Sequence, residues 1–570
     1  MLAHLKSLRR VLGTGSSAGV SEAALDLLGL AIASLEKLAV QELEPQLCQV
    51  AVLGPTQAGK STLVNALVGA EVTTVSALAG HTRHARGAAF NVADKTLDRI
   101  GSALEPAQRV AGNSLSPDDL DQYSLAAVDT AILPAAQESP IQNQPRIVWD
   151  TPDFDSLAAD TYRRAVLAIA GMADVIVLIV SRDKYGDMAV WELLERLAGL
   201  QRCSALVVNK VDPSSWAQLH EHVEDTQRER LGSVAFEVSS INHAGSDAPV
   251  DISGVLATLG GLQPISADKV SAGVSSLIER GWDEWLAPVL AEDQVQRRWR
   301  DEVNVGKEKF LTAYRRDYLA DADRYDTFQR LLGELLVLLE IPFLARSMGS
   351  VRKVVTWPVR KLFGASGDEE AEDNLGREPE MLQDAATHLL LGLRMTALES
   401  AEENPLWGRL AKRLSAEQPE LLESFHKDAL RHHQEFQKTV TEAAQLLYQR
   451  LQESPALLNS LRAVRASADA AGVVVALQTG GIGLADLVLT PAMLSLTSTL
   501  TESAAKTYVD QVVDELKEKQ FVAVSELVDQ GLARQLADYA DDAQLLEFGA
   551  LDAQGLSRSR DEFMTMTESR

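Results

Sequence analysis

From Ser21 onward, Leu25, Leu28, Ile32, Leu35 and Ala39 recur at steps of three and four, the spacing of an amphipathic helix. Ser21 suits an N-cap, and Pro45 closes the run. A shorter helix is predicted before it, with Leu2, Leu5, Leu8 and Leu12 on one face and Lys6, Arg9 and Arg10 elsewhere. GTGSSAG (13–19) breaks the chain between the two. After Pro45 the pattern changes to apolar runs at 49–54, 85–92, 146–150, 174–180, 205–209 and 234–240, separated by helical stretches. Continuous apolar strands alternating with helices predict an α/β domain, a mostly parallel sheet with helices on both faces. The run 251–259 reads as its closing helix. Beyond about residue 265 the strand signals stop, and long helical patterns fill 268–340, 379–402, 408–453 and 502–545. No internal repeat is visible.

At 570 residues the chain exceeds a single core, and two to four domains are expected. The pattern divides it into N-terminal helices at 1–45, an α/β domain at 46–262 with a polar insertion at about 93–145, and a helical region at 263–570. The net charge is −27, with 81 acidic against 54 basic residues, which gives no global attraction for nucleic acid. Cys48 and Cys203 both lie in strand-like runs. Two distant cysteines make no disulfide framework, so a reducing cytoplasm is expected. No run has the length and apolarity of a simple membrane span, and the first dozen residues lack a signal-peptide core.

Gly54-Pro55-Thr56-Gln57-Ala58-Gly59-Lys60-Ser61 follows one predicted strand and opens a helix, the context that gives G-x-x-x-x-G-K-[ST] its meaning. Backbone N–H groups of such a loop cradle phosphates. Lys60 reaches the β- and γ-phosphates, the Ser61 hydroxyl ligates Mg²⁺, and Thr62 is counted with residues 54–61 as nucleotide-binding. Asp150, which ends RIVWD, stands at the Walker B position. Asn209-Lys210-Val211-Asp212 ends the 205–209 strand, where a base-recognition loop belongs. A carboxylate there accepts from both N1–H and N2–H₂ of guanine, a pair that adenine does not offer. The expected ligands are therefore GTP or GDP with Mg²⁺.

In this order and spacing the motifs resemble the TRAFAC class of GTPases. The resemblance implies that Thr82, in GHTRHA, is the switch I threonine over Mg²⁺, and that Ser239 and Ser240 contact the base. Gly54 and Asp150 lie 96 residues apart, long for a minimal G domain. An enlarged G domain followed by a long helical region looks like the dynamin-like GTPases, bacterial ones in particular, whose helix before the G domain packs with C-terminal helices as a neck. The resemblance implies GTP hydrolysis coupled to self-association and membrane binding.

The chain departs from that pattern in three places. Thr56 stands where dynamins carry a catalytic Gln, and Gln57 comes one position later, where potassium-dependent relatives coordinate K⁺ or Na⁺. Gln57 is thus open to a catalytic task, a cation site or simply lining the loop. Asp153, in DTPDF, replaces the Gly of DxxG, which adds like charge near the γ-phosphate and removes the freedom of Gly. Phe154 follows, so no Ras-type Gln orients water. The candidate catalytic set is Lys60, Thr82, Gln57 and Asp153, and turnover is expected to be slow without self-association.

Two segments of the helical region stand out. Residues 341–364 hold Arg346, Arg352, Lys353, Arg360 and Lys361, no acidic residue, and aromatics including Trp357. They read either as a solvated basic face or as a segment for an anionic membrane surface. Residues 470–501 carry one charge, Asp486, and a TGGIG break, either the middle of a bundle or a shallow membrane-inserting hairpin. The helix at 2–12 is a third, weaker membrane candidate. An acidic linker at 364–380 lies between the two segments. The histidines, His81, His84, His426, His432 and His433 among them, suggest no zinc site. The leading expectation is a dynamin-like mechanoenzyme, cytoplasmic or peripheral on the inner face of the cell membrane. The alternative is a regulatory GTPase whose helical half binds a protein partner, with little hydrolysis.

Overall fold

Strand β1 (Cys48–Leu53) is buried along its whole length, as a run of CQVAVL demands, and this places it inside the sheet. It pairs in parallel with β5 (Arg146–Asp150) on one side and β6 (Val175–Ser181) on the other. The remaining strands are β2 (Ala85–Phe90), β3 (Gln108–Arg109), β4 (Gln122–Ala127), β7 (Cys203–Asn209) and β8 (Glu237–Ser240), giving the order β3-β4-β2-β5-β1-β6-β7-β8. The pair β2 and β5 is antiparallel and every other pair is parallel. The structure, a computed structural model, describes every residue except 14–18, 75–82, 106, 113, 117, 120, 129–143, 155–158, 201, 233–235, 242–250, 259–262, 322–324, 341–376, 456–457, 460, 463–505, 550 and 570.

The chain divides into two compact units, Met1–Leu290 with Ala550–Arg570, and Ala291–Gly549. In the first, alternate residues of the sheet face opposite ways. Val50, Val52, Val148, Val177 and Val207 join Leu63 and Leu67 of α3 (Lys60–Val68) and Val255 of α8 (Ser253–Thr258) in one core. On the other face Trp149 donates from Nε1 to Gln49 Oε1 at 3.1 Å. The polar insertion at about 93–145 contains α4 (Asp94–Ala103) and also β3 and β4. No periodicity signals those two strands, because β3 is two exposed residues and β4 mixes Gln, Tyr, Ser and Ala without alternation.

The N-terminal helices α1 (Leu2–Leu12) and α2 (Glu22–Leu43) belong to this unit. Ser21 caps α2, accepting from Ala24 N at 3.2 Å. The anchor is ionic: Lys37 reaches Asp174 at 2.7 Å, and Asp174 also accepts from the backbone N–H of Gln49 and Ile265. Buried Arg202 donates to Ser34 of α2 at 2.8 Å and to Ala170 and Ala173 carbonyls in the stretch that includes α5 (Ala159–Met172). Burial pushes its guanidinium down to about 10. Trp285 of α9 (Ala267–Tyr314) donates to the Ala24 carbonyl at 2.7 Å. In α1, Leu5, Leu8 and Leu12 are all buried, so the apolar face expected as a weak membrane element is used up in packing.

The second unit is helical. It holds the later part of α9, then α10 (Asp326–Glu340), α11 (Arg377–Glu399), α12 (Pro405–Gln452), α13 (Lys506–Val528) and α14 (Arg534–Asp538). The periodic stretch 268–340 is broken by a π-turn at Arg315–Leu319, and 502–545 by another at Asp529–Ala533. Along α12, Leu406, Leu410, Leu414, Leu421, Phe425, Val440, Leu447 and Leu451 make one buried stripe, the face that a 3.6-residue period aligns. Trp299 and Trp407 meet at 6.3 Å in the core of this unit. α15 (Ala553–Glu568) returns to the first unit. Segments 341–364 and 470–501, and residues 364–376 of the acidic linker, lie outside the described residues.

Candidate nucleotide site

The loop between β1 and α3 has a backbone that its glycines make possible. A Cβ at Gly54 would stand 2.3 Å from the Ile179 carbonyl oxygen, so β6 passes too close for any side chain. Gly59 has φ +104, and its Cβ would meet Asn209 Nδ2 at 2.5 Å. Gln57 is held at φ 61, the left-handed region costly to a non-glycine residue. Lys60 folds back into this loop, donating from Nζ to the carbonyls of Gly54 (3.0 Å) and Pro55 (3.1 Å) and pairing with Asp153 Oδ1. Thr56 and Thr62 are half-buried, Pro55 and Ala58 buried and Gln57 exposed.

At the end of β5, Asp150 is wholly buried. Its Oδ2 accepts from Ser61 Oγ and Thr73 Oγ1, each at 2.8 Å. Its Oδ1 is buried with no hydrogen-bond partner. Burial raises this carboxyl above the ordinary range, opposed by the Thr73 and Ser61 hydroxyls and the charges of Lys60 and Arg86. A carboxylate with one oxygen free, flanked by two hydroxyls, is a donor set that suits a hard divalent cation. Among the described residues no cluster of His, Cys, Asp or Glu offers another metal site.

The sequence does not single out Thr73. It is fixed by Asn65, whose Oδ1 accepts from the Val72 and Thr73 N–H groups at 3.0 Å and whose Nδ2 donates to the Thr73 carbonyl at 2.8 Å. The sequence shows only several threonines between α3 and β2, with nothing to rank them. Thr82, the one the family resemblance selects, lies outside the described residues. The His84 ring nitrogen Nε2 lies 2.9 Å from the Asp119 carbonyl, away from this site.

The 209–212 loop is latched to the loop between β1 and α3. Asn209 Nδ2 donates to the Ala58 carbonyl at 2.9 Å, and its Oδ1 accepts from Lys210 N at 2.8 Å. Lys210, at φ 62, reaches the Gln57 carbonyl with Nζ at 3.0 Å. Asp212 is 73% exposed and meets Arg182 only at 3.5 Å, a weak surface contact that leaves its carboxylate open. β8 runs beside β7 in parallel and sets Ser239 against Val207 and Ser240 against Val208. Motifs more than a hundred residues apart in sequence therefore converge at one end of the sheet, as switch-point sites of open α/β folds do.

This fold and this constellation define a P-loop GTPase domain. Residues 49–210 match the model of the family described as 50S ribosome-binding GTPase, and the chain carries a TRAFAC-class GTPase domain. GTPase Der of Gloeobacter violaceus (strain ATCC 29082 / PCC 7421) is 29% identical over 212 residues, which cover 37% of this chain and 38% of that protein. The chain thus spans about two fifths of the length of that curated relative. Among solved structures, Era in complex with MgGDPNP and part of 16S ribosomal RNA is similar over 39% of this chain and 58% of its own, at 17% identity and a TM-score of 0.25. A structure of an oligomerised bacterial dynamin pair, described as a mechanism for long-range sensing and tethering of membranes, covers 99% of this chain and 94% of its own, at 12% identity and a TM-score of 0.36.

Proposed function

We propose that the chain binds and hydrolyses GTP as a dynamin-like protein, coupling its nucleotide state to self-association and to peripheral binding of anionic membrane. The observation that carries the nucleotide reading is the latch of Asn209 and Lys210 on Ala58 and Gln57 beside an open Asp212. In this reading Asp212 selects guanine, Ser239 and Ser240 line the base, and the loop N–H groups with Lys60 hold the phosphates. Ser61 and Asp150 hold Mg²⁺, with Thr82 closing over it; the cation supplies charge neutralisation to the β- and γ-phosphates.

Hydrolysis depends on the fate of Asp153. Its carboxylate occupies the Lys60 ammonium that the γ-phosphate needs, and beside that phosphate it repels. Nucleotide must therefore take Lys60 from Asp153, and self-association supplies a second force to move it. In this reading Gln57, exposed on the loop, meets a monovalent cation such as K⁺ or Na⁺. The same Lys60–Asp153 pair favours the second reading, a slow regulatory switch whose helical unit binds a protein partner. The membrane role is assigned to 341–364 and 470–501 on their sequence. Among the described residues no helix is long and apolar enough to cross a membrane, and the attachment proposed is peripheral, at the inner face of the cell membrane.

Sedimentation with phosphatidylserine-rich vesicles, with GTP and without nucleotide, separates the readings. The mechanoenzyme predicts vesicle binding and a turnover per molecule that rises with protein concentration. Turnover that is low, independent of concentration and unchanged by vesicles would select the switch.

A further inference from the structure

Away from the nucleotide loops, α1, α2, α4, α5 and the β3–β4 edge of the first unit enclose a cleft of about 1240 Å³. No residue of the nucleotide site lines it. Its size exceeds the roughly 300–1,000 Å³ of ordinary small-molecule sites.

The lining is unusual for a chain of charge −27. Arg9, Arg10 and Arg164 line it, and among the described residues none of these guanidinium groups makes a side-chain hydrogen bond or an ion pair. Most of the neighbouring charges are paired, and Glu105 adds a carboxylate to the same lining. Arg163 pairs with Glu22 at 2.7 Å, Asp26 with Arg196 at 3.0 Å, and Arg109 donates to the Leu125 carbonyl at 2.8 Å while facing Asp98 at 3.7 Å. Arg9 is half-buried. Burial and then the charge of Arg164 push it below its ordinary value, with Asp26 opposing. A half-buried cation beside a second, exposed one is stabilised when an anion joins them. Tyr123 lines the same cleft, only 2% exposed, with its hydroxyl buried and without a hydrogen-bond partner. Leu12 and Leu97 supply an apolar wall.

We propose that this cleft is a second ligand site, binding a phosphorylated molecule whose phosphate sits among Arg9, Arg10 and Arg164 and whose organic body packs on Leu97 and Tyr123. Three guanidinium forks match a multiply charged phosphate better than a single carboxylate. The phosphate comes either from a soluble phosphoester or from the headgroup of an acidic lipid presented at a surface.

The test uses the full chain with GDP filling the nucleotide site. Inorganic pyrophosphate is titrated by calorimetry, and phosphatidic acid vesicles by sedimentation. Arg10 and Arg164 are both exposed, so Arg10→Gln with Arg164→Gln is expected to leave the fold intact. The double variant is expected to weaken binding by about tenfold to a hundredfold for each arginine removed. Arg9→Gln extends the series if its thermal melt matches wild type, and the exposed pair carries the test if it does not. Saturable pyrophosphate binding that the double variant loses assigns a soluble phosphoester. Vesicle binding lost in the same variant, without pyrophosphate binding, assigns a lipid headgroup. Wild-type binding of neither probe, or equal binding by wild type and variant, overturns the proposal.

Discussion

Asp150 in the first unit and Glu378 in the second are both completely buried carboxylates, and the two are treated in opposite ways. Glu378, in α11, accepts from Tyr314 Oη at 2.6 Å and Gln520 Nε2 at 2.7 Å on one oxygen, and pairs with His433 Nδ1 at 2.6 Å on the other. Burial pushes it up, but the hydrogen bond and charge of His433 and the Tyr314 hydroxyl outweigh that and hold it below the ordinary carboxylate range. Asp150 has hydroxyl donors on one oxygen and none on the other, and burial leaves it above that range. A buried charge whose partners are all internal works for the fold. One left with a free oxygen is stabilised only when something from outside arrives. By that criterion the network around Glu378 is structural, although it gathers two of the histidines on α12, and the cluster around Asp150 is a candidate site.

The largest effect expected is on ligand recognition. Asp212→Asn should cost about 3–6 kcal/mol of GTP affinity, two charge-assisted hydrogen bonds at roughly 1.5–3 kcal/mol each, while leaving the melting curve unchanged. Xanthosine triphosphate, which presents a carbonyl at that edge, should still bind in a fluorescence competition assay. Unaltered GTP affinity would remove Asp212 from the base site.

Next in size is the fold of the helical unit. Glu378→Ala strands His433 and should cost about 3–5 kcal/mol in urea unfolding at pH 7, with GTP affinity kept. Because the folded carboxyl lies below its usual value of 4.5, its stabilisation is complete above that pH and disappears as acid protonates it. The deficit of the variant should therefore shrink below pH 4.5. A deficit that does not change with pH would mean that packing, not the charge, was lost.

Asp150→Asn should have the opposite sign. The folded carboxyl is raised above its usual value of 3.8, so nucleotide-free protein loses stability as pH rises through that raised value, and is destabilised throughout the range above it. Removing the charge should stabilise the nucleotide-free protein by about 1–3 kcal/mol and abolish the magnesium dependence of GTP binding. If instead Asp150→Asn destabilises like Glu378→Ala, the contrast between the two carboxylates fails.

The smallest change expected is in rate. Asp153→Gly frees Lys60 and removes a like charge from the phosphate, and should raise single-turnover hydrolysis about tenfold, the equivalent of roughly 1.4 kcal/mol. A slower variant would give the carboxylate a positive part in catalysis.

Much of this molecule is legible in order along the chain. The strands carrying nucleotide motifs fall within a few residues of the apolar runs at 49–54, 146–150, 174–180 and 205–209, because a strand covered on both faces must be apolar throughout. Glycines at 54 and 59 can be read as loop residues because the motif is contiguous. Less is legible where chemistry does not repeat. Strands β3 and β4 have no period of two to detect, and Thr73 is one threonine among several until Asn65 holds it.

Sequence alone determined the mostly parallel sheet, the glycine-rich loop, the Asn209-Lys210-Val211-Asp212 motif and the helical character of the described residues beyond 265, since each depends on residues close together in the chain. Only the tertiary structure decided which buried charges are satisfied. Lys60 and Asp153 are 93 positions apart and Glu378 and His433 are 55 apart, and nothing local in either stretch says that they meet. Burial sets the cost of an ionised group and its partners set the compensation, and both are properties of the folded surroundings rather than of the residue. The same holds for Arg9, Arg10 and Arg164, ordinary surface cations in the sequence, which become a candidate site only when α1 and α5 place them along one cleft.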